Sequence, residues 1–354
     1  MNAQFTQHNL IFKQASGTSR GVLTTKETYL LEISKNGQKG IGECAIFRGL
    51  SYDDVPDYEE KLTWLCENIH SDFEVLKKEL LHYPSIIFGL EQALLNLEHG
   101  EDLYFPSDFT DGKDSIKING LIWMGNADFM QSQIEEKLAK GFDCIKLKIG
   151  VDWKSEKEII KKLREKFPKE QLELRVDANG AFSYEEATIV LQELADLGIH
   201  SIEQPIKKSQ VKTKKSQKTD EINSTDYCAP WNEMAKLCAE TPTPIALDEE
   251  LIGIIDFEEK KKLLETIKPQ YIILKPALVG GFSGSDEWIA IAESLGINWW
   301  ITSALESNIG LNAICQYTYT KKNPLPQGLG TGALFTNNFE THLQLEGDQM
   351  WHKK

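Results

Sequence analysis

Seven short β-rich segments recur between residues 115 and 304, and most of their starts lie roughly 27 residues apart. They are SIKINGL from Ser115, CIKLKIG from Cys144, LELRVDANG from Leu172, IHSIEQP from Ile199, PIALDEE from Pro244, YIILKPA from Tyr271 and INWWITSA from Ile297. Each interval has room for one strand, one helix and two short loops, so each segment opens a β/α unit. The one longer interval holds a lysine-rich stretch, residues 207–227, read as an insertion. Seven even units favour a closed parallel barrel over a doubly wound open sheet. The open sheet more often keeps a glycine-rich phosphate loop after its first strand, and GLIWMG at that place lacks the G-x-G-x-x-G spacing. PLPQGLGTGALF, from Pro324, is expected to supply an eighth, irregular strand.

Residues 1–114 lack this rhythm and read as a separate α+β domain, which suits a chain of 354 residues. Asn36-Gly37 between strand-like flanks predicts a two-residue hairpin, and PSIIFGLEQALLNLE from Pro84 predicts an amphipathic helix. The barrel is assigned to residues 115–333, and the tail of about 334–354 is expected to return to the first domain.

Composition narrows the partners. The 54 acidic residues exceed the 39 basic ones, and a net charge of −15 repels phosphate backbones and anionic lipid. Neither nucleic acid nor membrane is expected, and Lys207 to Lys218, KKSQVKTKKSQK, reads as a solvated loop. No apolar run approaches the roughly 20 residues that cross a bilayer, and the opening MNAQFTQHNLIF lacks a secretory pattern, so the cytoplasm is the expected compartment. The six cysteines are scattered without a C-x-x-C pair, which points to reduced, buried thiols rather than zinc or disulfides. A homo-oligomer is left open.

Catalytic groups of a parallel barrel come from the carboxyl ends of its strands. Polar residues collect there on strand after strand: Lys146 and Lys148 on one face of CIKLKIG, Asp177 ending LELRVD, Glu203 ending IHSIE, Asp248 ending PIALD, Lys275 ending YIILK and Ser303 ending INWWITS. Three carboxylates from three neighbouring strands repel one another unless a cation sits between them. Oxygen ligands without His or Cys favour Mg²⁺, with Mn²⁺ also compatible. Lys148 and Lys275 then flank the ion as acid/base groups, and crowding by Lys146 together with partial burial is expected to lower the ammonium pKa. His200 has the opposite parity to Glu203 and is expected to face the helical layer.

The ordered motifs K-x-K, V-D-A-N, I-E-Q-P, L-D-E and K-P resemble those of the enolase superfamily, and more narrowly its muconate lactonizing subgroup. The resemblance spans nearly the whole chain. It implies a modified TIM barrel, (β/α)7β, with an N-terminal α+β capping domain. It implies that Asp177, Glu203 and Asp248 bind Mg²⁺, that Lys148 and Lys275 are the two acid/base lysines, that Lys146 tunes them and that Asn179 supports them.

Within the subgroup, TSALESNIGL from Thr302, GLGTGALF from Gly328 and Arg175 are most similar to o-succinylbenzoate synthases of menaquinone biosynthesis. Ser303, Glu306 and Arg175 are accordingly expected to support or bind a small carboxylate substrate. The implied reaction is a Mg²⁺-dependent dehydration, a hydro-lyase step through α-proton abstraction and an enediolate. N-acylamino acid racemase and dipeptide epimerase are the alternatives in the same superfamily. The second is disfavoured because QGLGTG, Gln327 to Gly332, contains no acid to hold a substrate ammonium. Two capping loops, about Ser16–Thr25 and Glu43–Tyr52, are expected to close over the mouth, with Val22, Phe47 and Leu50 as an apolar ring and Arg20 or Arg48 meeting a substrate carboxylate.

Overall fold

The computed structural model describes residues 1–18, 21–123, 125, 127–208 and 231–353. Arg20 and the lysine-rich stretch from residue 209 onward lie outside the described residues. The N-terminal part is an antiparallel meander of β1 (Asn2–Thr18), β2 (Gly21–Lys35) and β3 (Gln38–Cys44). Asn36 and Gly37, at φ 53° and 83°, turn β2 into β3 with Lys35 opposite Gln38, because a two-residue turn of this hand needs left-handed backbone at both positions.

Three helices follow: α1 (Tyr58–Asn68), α2 (Phe73–Glu79) and α3 (Pro84–His99). The sequence suggests an amphipathic α3, but the structure buries it on both sides. Ile86, Ile87, Leu90 and Ala93 join Tyr29, Leu31 and Ile33 in the first domain's core. On the other side Phe88 meets Phe282 edge to face at 5.4 Å. The approach of α3 to β3 is close enough that a Cβ on Gly42 would lie 2.0 Å from the Gly89 carbonyl oxygen.

The second part alternates strands and helices: β4 (Ile116–Lys117), β5 (Gly120–Ile122), α4 (Ala127–Ala139), β6 (Cys144–Lys148), α5 (Trp153–Lys166), β7 (Glu173–Asp177), α6 (Tyr184–Asp196) and β8 (Ser201–Glu203). It continues with α7 (Asn232–Glu240), β9 (Ile245–Leu247), α8 (Phe257–Ile267), β10 (Tyr271–Leu274), α9 (Pro276–Val279), α10 (Gly281–Ser294), β11 (Asn298–Ile301) and α11 (Asn308–Thr320). Strands β5 to β11 form one curled parallel sheet in chain order. Gln327 and Gly328 bridge its two edges, as the irregular eighth strand was expected to do. The Gln327 carbonyl accepts from Asn119 N at 2.9 Å, while Gly328 N donates to the Ile301 carbonyl at 2.8 Å.

The first expected strand, SIKINGL, is split at Asn119. Only Gly120–Ile122 joins the barrel, while Ile116–Lys117 pairs with β13 (Gln349–His352) of a C-terminal hairpin whose other strand is β12 (Leu343–Glu346). Before the hairpin, the tail runs beside β1, with Lys13 N on Leu334 O and Thr336 N on Ile11 O, both at 2.8 Å.

Strand alternation sets what faces the site. Ile145, Leu147, Leu174 and Val176 pack outward beneath the helices, which turns Lys146, Lys148, Arg175 and Asp177 into the barrel. Ala246, Ile273 and Trp300 form its floor. Among the described residues no helix is long and apolar enough to cross a membrane.

Candidate active site

The carboxyl ends of the strands open into a cavity of about 800 Å³, counting its mouth. Lys146, Lys148, Asp177, Asn179 and Lys275 line it from the barrel, and Phe47 and Leu50 reach it from the first domain. Phe47 and Leu50 of the expected ring are thus at the mouth, and the side chain of Val22 lies outside the described residues. Arg48 is committed elsewhere, donating to Asp54 at 2.8 Å and to Glu27.

Ion pairs link the charged tips. Lys146 Nζ lies 3.1 Å from Asp177 Oδ2 and also contacts Glu203 Oε2. Lys148 Nζ lies 3.1 Å from Asp177 Oδ2 and donates to Asn179 Oδ1 at 2.7 Å. Lys275 contacts Asp248 Oδ2 and lies 3.8 Å from Glu203 Oε1. The three carboxylates are almost fully buried. With ammonium groups among them, the three carboxylates do not all bring a donor atom within 4.8 Å of the other two.

The charge balance follows from burial and pairing. Burial alone raises a carboxyl pKa, but Lys146 and Lys148 outweigh it at Asp177 and hold that group below the carboxylate range. At Asp248, Lys275 likewise overrides burial and lowers it. Glu203 goes the other way: burial, reinforced by Asp177, pushes it well above its ordinary value. At Lys275 and Lys146 the arrangement does the opposite of the expected lowering. Burial lowers Lys275 and Lys146, but Asp248 and Glu203 beside the first, and Asp177 and Glu203 beside the second, outweigh it and raise both.

Donor chemistry matches a hard divalent cation. Asp177, Glu203 and Asp248 offer only oxygen, and Glu203 Oε1 is buried without a hydrogen-bond partner. Backbone strain marks the same rim: Asn179, Gln204 and Leu305 take φ of 45°, 40° and 64°, each just beyond a strand end. Gln204 fixes the next loop, its Oε1 accepting from Asp248 N at 3.3 Å and Glu250 N at 3.2 Å.

Ser303 lines the cavity, donating to Glu306 at 2.5 Å and accepting from Thr331 at 2.8 Å. Glu306 stands behind it and supports it. Arg175 does not line the cavity but lies under it, a position for support rather than substrate contact, donating to Glu173 and the Pro326 carbonyl and stacking 4.2 Å from the Trp300 ring centroid. His200 departs from its expected place, since it reaches Tyr271 Oη at 3.2 Å at the foot of the barrel instead of facing the helices.

Sequence reasoning missed Glu249, Asn119 and Thr331, which line the cavity. Glu249 follows Asp248 in the L-D-E motif and accepts from Asn179 Nδ2 at 3.1 Å, so its neighbour was a usable signal. It missed Glu43 as well. That carboxylate accepts from Thr28 Oγ1 at 2.8 Å, Ser307 Oγ at 2.6 Å, Ser307 N at 3.0 Å and Gly310 N at 2.9 Å, tying β3 to the start of α11.

Residues 130–221 and 226–349 match the family described as Enolase C-terminal domain-like, and residues 3–97 match MenC, N-terminal domain. The chain belongs to the enolase superfamily. Enzymes of this superfamily use a divalent metal ion, which agrees with the oxygen donors described above. An o-succinylbenzoate synthase of Desulfotalea psychrophila is 42% identical, with 98% of each chain covered. The crystal structure of MenC from that organism superposes with a TM-score of 0.84 at 40% identity over 99% of both chains. An N-succinylamino acid racemase of Thermus thermophilus is 33% identical, covering 83% of this chain and 75% of the relative.

Proposed function

We propose that this chain removes water from 2-succinyl-6-hydroxy-2,4-cyclohexadiene-1-carboxylate to give o-succinylbenzoate in menaquinone biosynthesis. The observation that carries the reading is that Lys148 and Lys275 line one cavity from separate strands, β6 and the end of β10, with buried carboxylates beside them. The near full-length similarity to an o-succinylbenzoate synthase supports the choice of substrate. A small, doubly charged substrate of this kind does not cross membranes unaided, so the proposed compartment is the cytoplasm.

Asp177, Glu203 and Asp248 are the proposed holders of Mg²⁺. When bound, the ion supplies Lewis-acid stabilisation to a carboxylate whose α-proton is leaving. Lys148, as the free amine, takes the proton from the ring carbon that bears the carboxylate. The C–H electron pair becomes the new ring double bond, the C–O bond to the 6-hydroxyl breaks, and Lys148 returns its proton to that oxygen, so that water leaves and the ring is aromatic. Lys275 stays an ammonium and faces the developing negative charge. Phe47 and Leu50 exclude bulk water from the mouth.

The test is an assay of the purified chain with the cyclohexadiene substrate, read as appearance of the aromatic product. Mg²⁺-dependent turnover is the expected result, and its absence under conditions where a known o-succinylbenzoate synthase is active rejects the reading. The 33% identity to an N-succinylamino acid racemase favours a second activity of the same site. In it, each lysine handles the proton on one face of an N-acylamino acid. Exchange of the substrate's α-proton in deuterated water reports it.

A further inference from the structure

Away from the cavity, Asp102, His342 and His352 bring three ligating side chains to one point. Asp102 follows α3, His342 precedes β12 and His352 ends β13. One donor atom from each lies within 4.8 Å of the other two. Asp102 Oδ2 is 2.7 Å from His342 Nδ1 and 3.3 Å from His352 Nε2. None of the three lines the active-site cavity.

Both imidazoles converge on a single carboxylate oxygen. Asp102 Oδ1, which a plain hydrogen-bond network would share out to one of them, is buried without a partner. His352 is itself fully buried, and its Nδ1 also lacks a hydrogen bond. Donors gathered round one centre, rather than spread over the available acceptors, are the arrangement of ligands around an ion. Two ligands each about 2.0–2.1 Å from a tetrahedral zinc ion stand roughly 3.3 Å apart. The His352 spacing already has that value, and the His342 spacing reaches it by opening about 0.6 Å. His342 has 43% of its side chain exposed and provides the route in. The Asp102 loop is anchored, its backbone carbonyl accepting from Asn312 Nδ2 at 2.9 Å and Gln316 Nε2 at 2.8 Å.

We propose that Asp102, His342 and His352 bind a divalent transition-metal ion, Zn²⁺ fitting best, and that the ion staples the C-terminal hairpin to the loop leaving α3. Two imidazoles and one carboxylate select borderline metals over Mg²⁺, and water completes the coordination. Asp102 is 240 and 250 residues from the two histidines in the chain, so binding stabilises the folded state over the unfolded one.

The test uses the full chain without an added polyhistidine tag, saturated with Mg²⁺ so that the oxygen-donor site is filled. Co²⁺ is titrated in and followed by its visible absorption. One equivalent with an imidazole-type spectrum, displaced by Zn²⁺, is expected. His342→Ala and Asp102→Asn should each weaken Co²⁺ binding by at least about 100-fold, beyond the ~10- to 100-fold that losing a group behind a ligand costs. Zn²⁺ should raise the unfolding temperature of the unaltered chain and leave that of His342→Ala where it was. No Co²⁺ uptake by the unaltered chain, or uptake by the variants as tight as that of the unaltered chain, overturns the proposal and leaves Asp102 as a hydrogen-bond acceptor for two imidazoles. None of these readouts depends on the proposed dehydration.

Discussion

Lys146 and Lys148 share one oxygen: each ammonium lies 3.1 Å from Oδ2 of Asp177. Two residues apart on β6, they point the same way, but Lys146 sits deeper and also holds Glu203, while Lys148 lines the upper cavity beside Asn179. Depth thus separates two chemically identical side chains into different tasks.

Lys148→Ala should lower kcat by about 10²- to 10⁴-fold, the usual worth of a positioned acid/base group, with substrate affinity little changed. Lys146→Ala should cost less in kcat and shift the pH profile more. Steady-state kinetics of both variants across pH check this, and equal losses would contradict the division of roles.

Lys275→Arg keeps the positive charge but removes a proton that can be given up at neutral pH. Dehydration of the cyclohexadiene substrate should persist at a measurable rate, while racemisation of an N-acylamino acid should vanish. Both rates are compared at saturating Mg²⁺, with substrate affinity measured alongside as a check on fit. Racemisation that survives when dehydration is lost would refute the role assigned to Lys275.

Chelation should abolish turnover, and added Mg²⁺ should restore it. Because the ion binds the folded chain, Mg²⁺ at about 100 times its Kd should also add ~2.7 kcal/mol of stability, read as a raised unfolding temperature. Asp177→Asn should blunt that rise. An unchanged unfolding temperature with Mg²⁺ present would count against Asp177, Glu203 and Asp248 as its holders.

Glu43 is buried and accepts from four donors, one from Thr28 in its own domain and three across the boundary from Ser307 and Gly310 at the start of α11. Glu43→Gln leaves at least one of these donors facing an amide N–H, and should cost about 1–3 kcal/mol. Urea unfolding monitored at equilibrium measures it, and a midpoint equal to that of the unaltered chain would show the link to be dispensable.

The chain's sequence alone determined the barrel and the charged rim. An apolar run such as YIILK that ends in a lysine makes sense only where the strand tip enters a site, and a side-chain period of two residues tells which neighbours share that face. Tertiary structure decided what that period leaves open. Arg175 and Asp177 have the same parity, yet one lies two residues lower, about 6–7 Å along the strand, and is stacked on Trp300 beneath the cavity instead of lining it. Periodicity assigns a face and is silent on depth. The groupings of Glu43 with Ser307, and of Asp102 with His342 and His352, join positions 240 or more apart in the chain. No local spacing encodes such contacts, because they exist only once α3, α11 and the C-terminal hairpin have packed together.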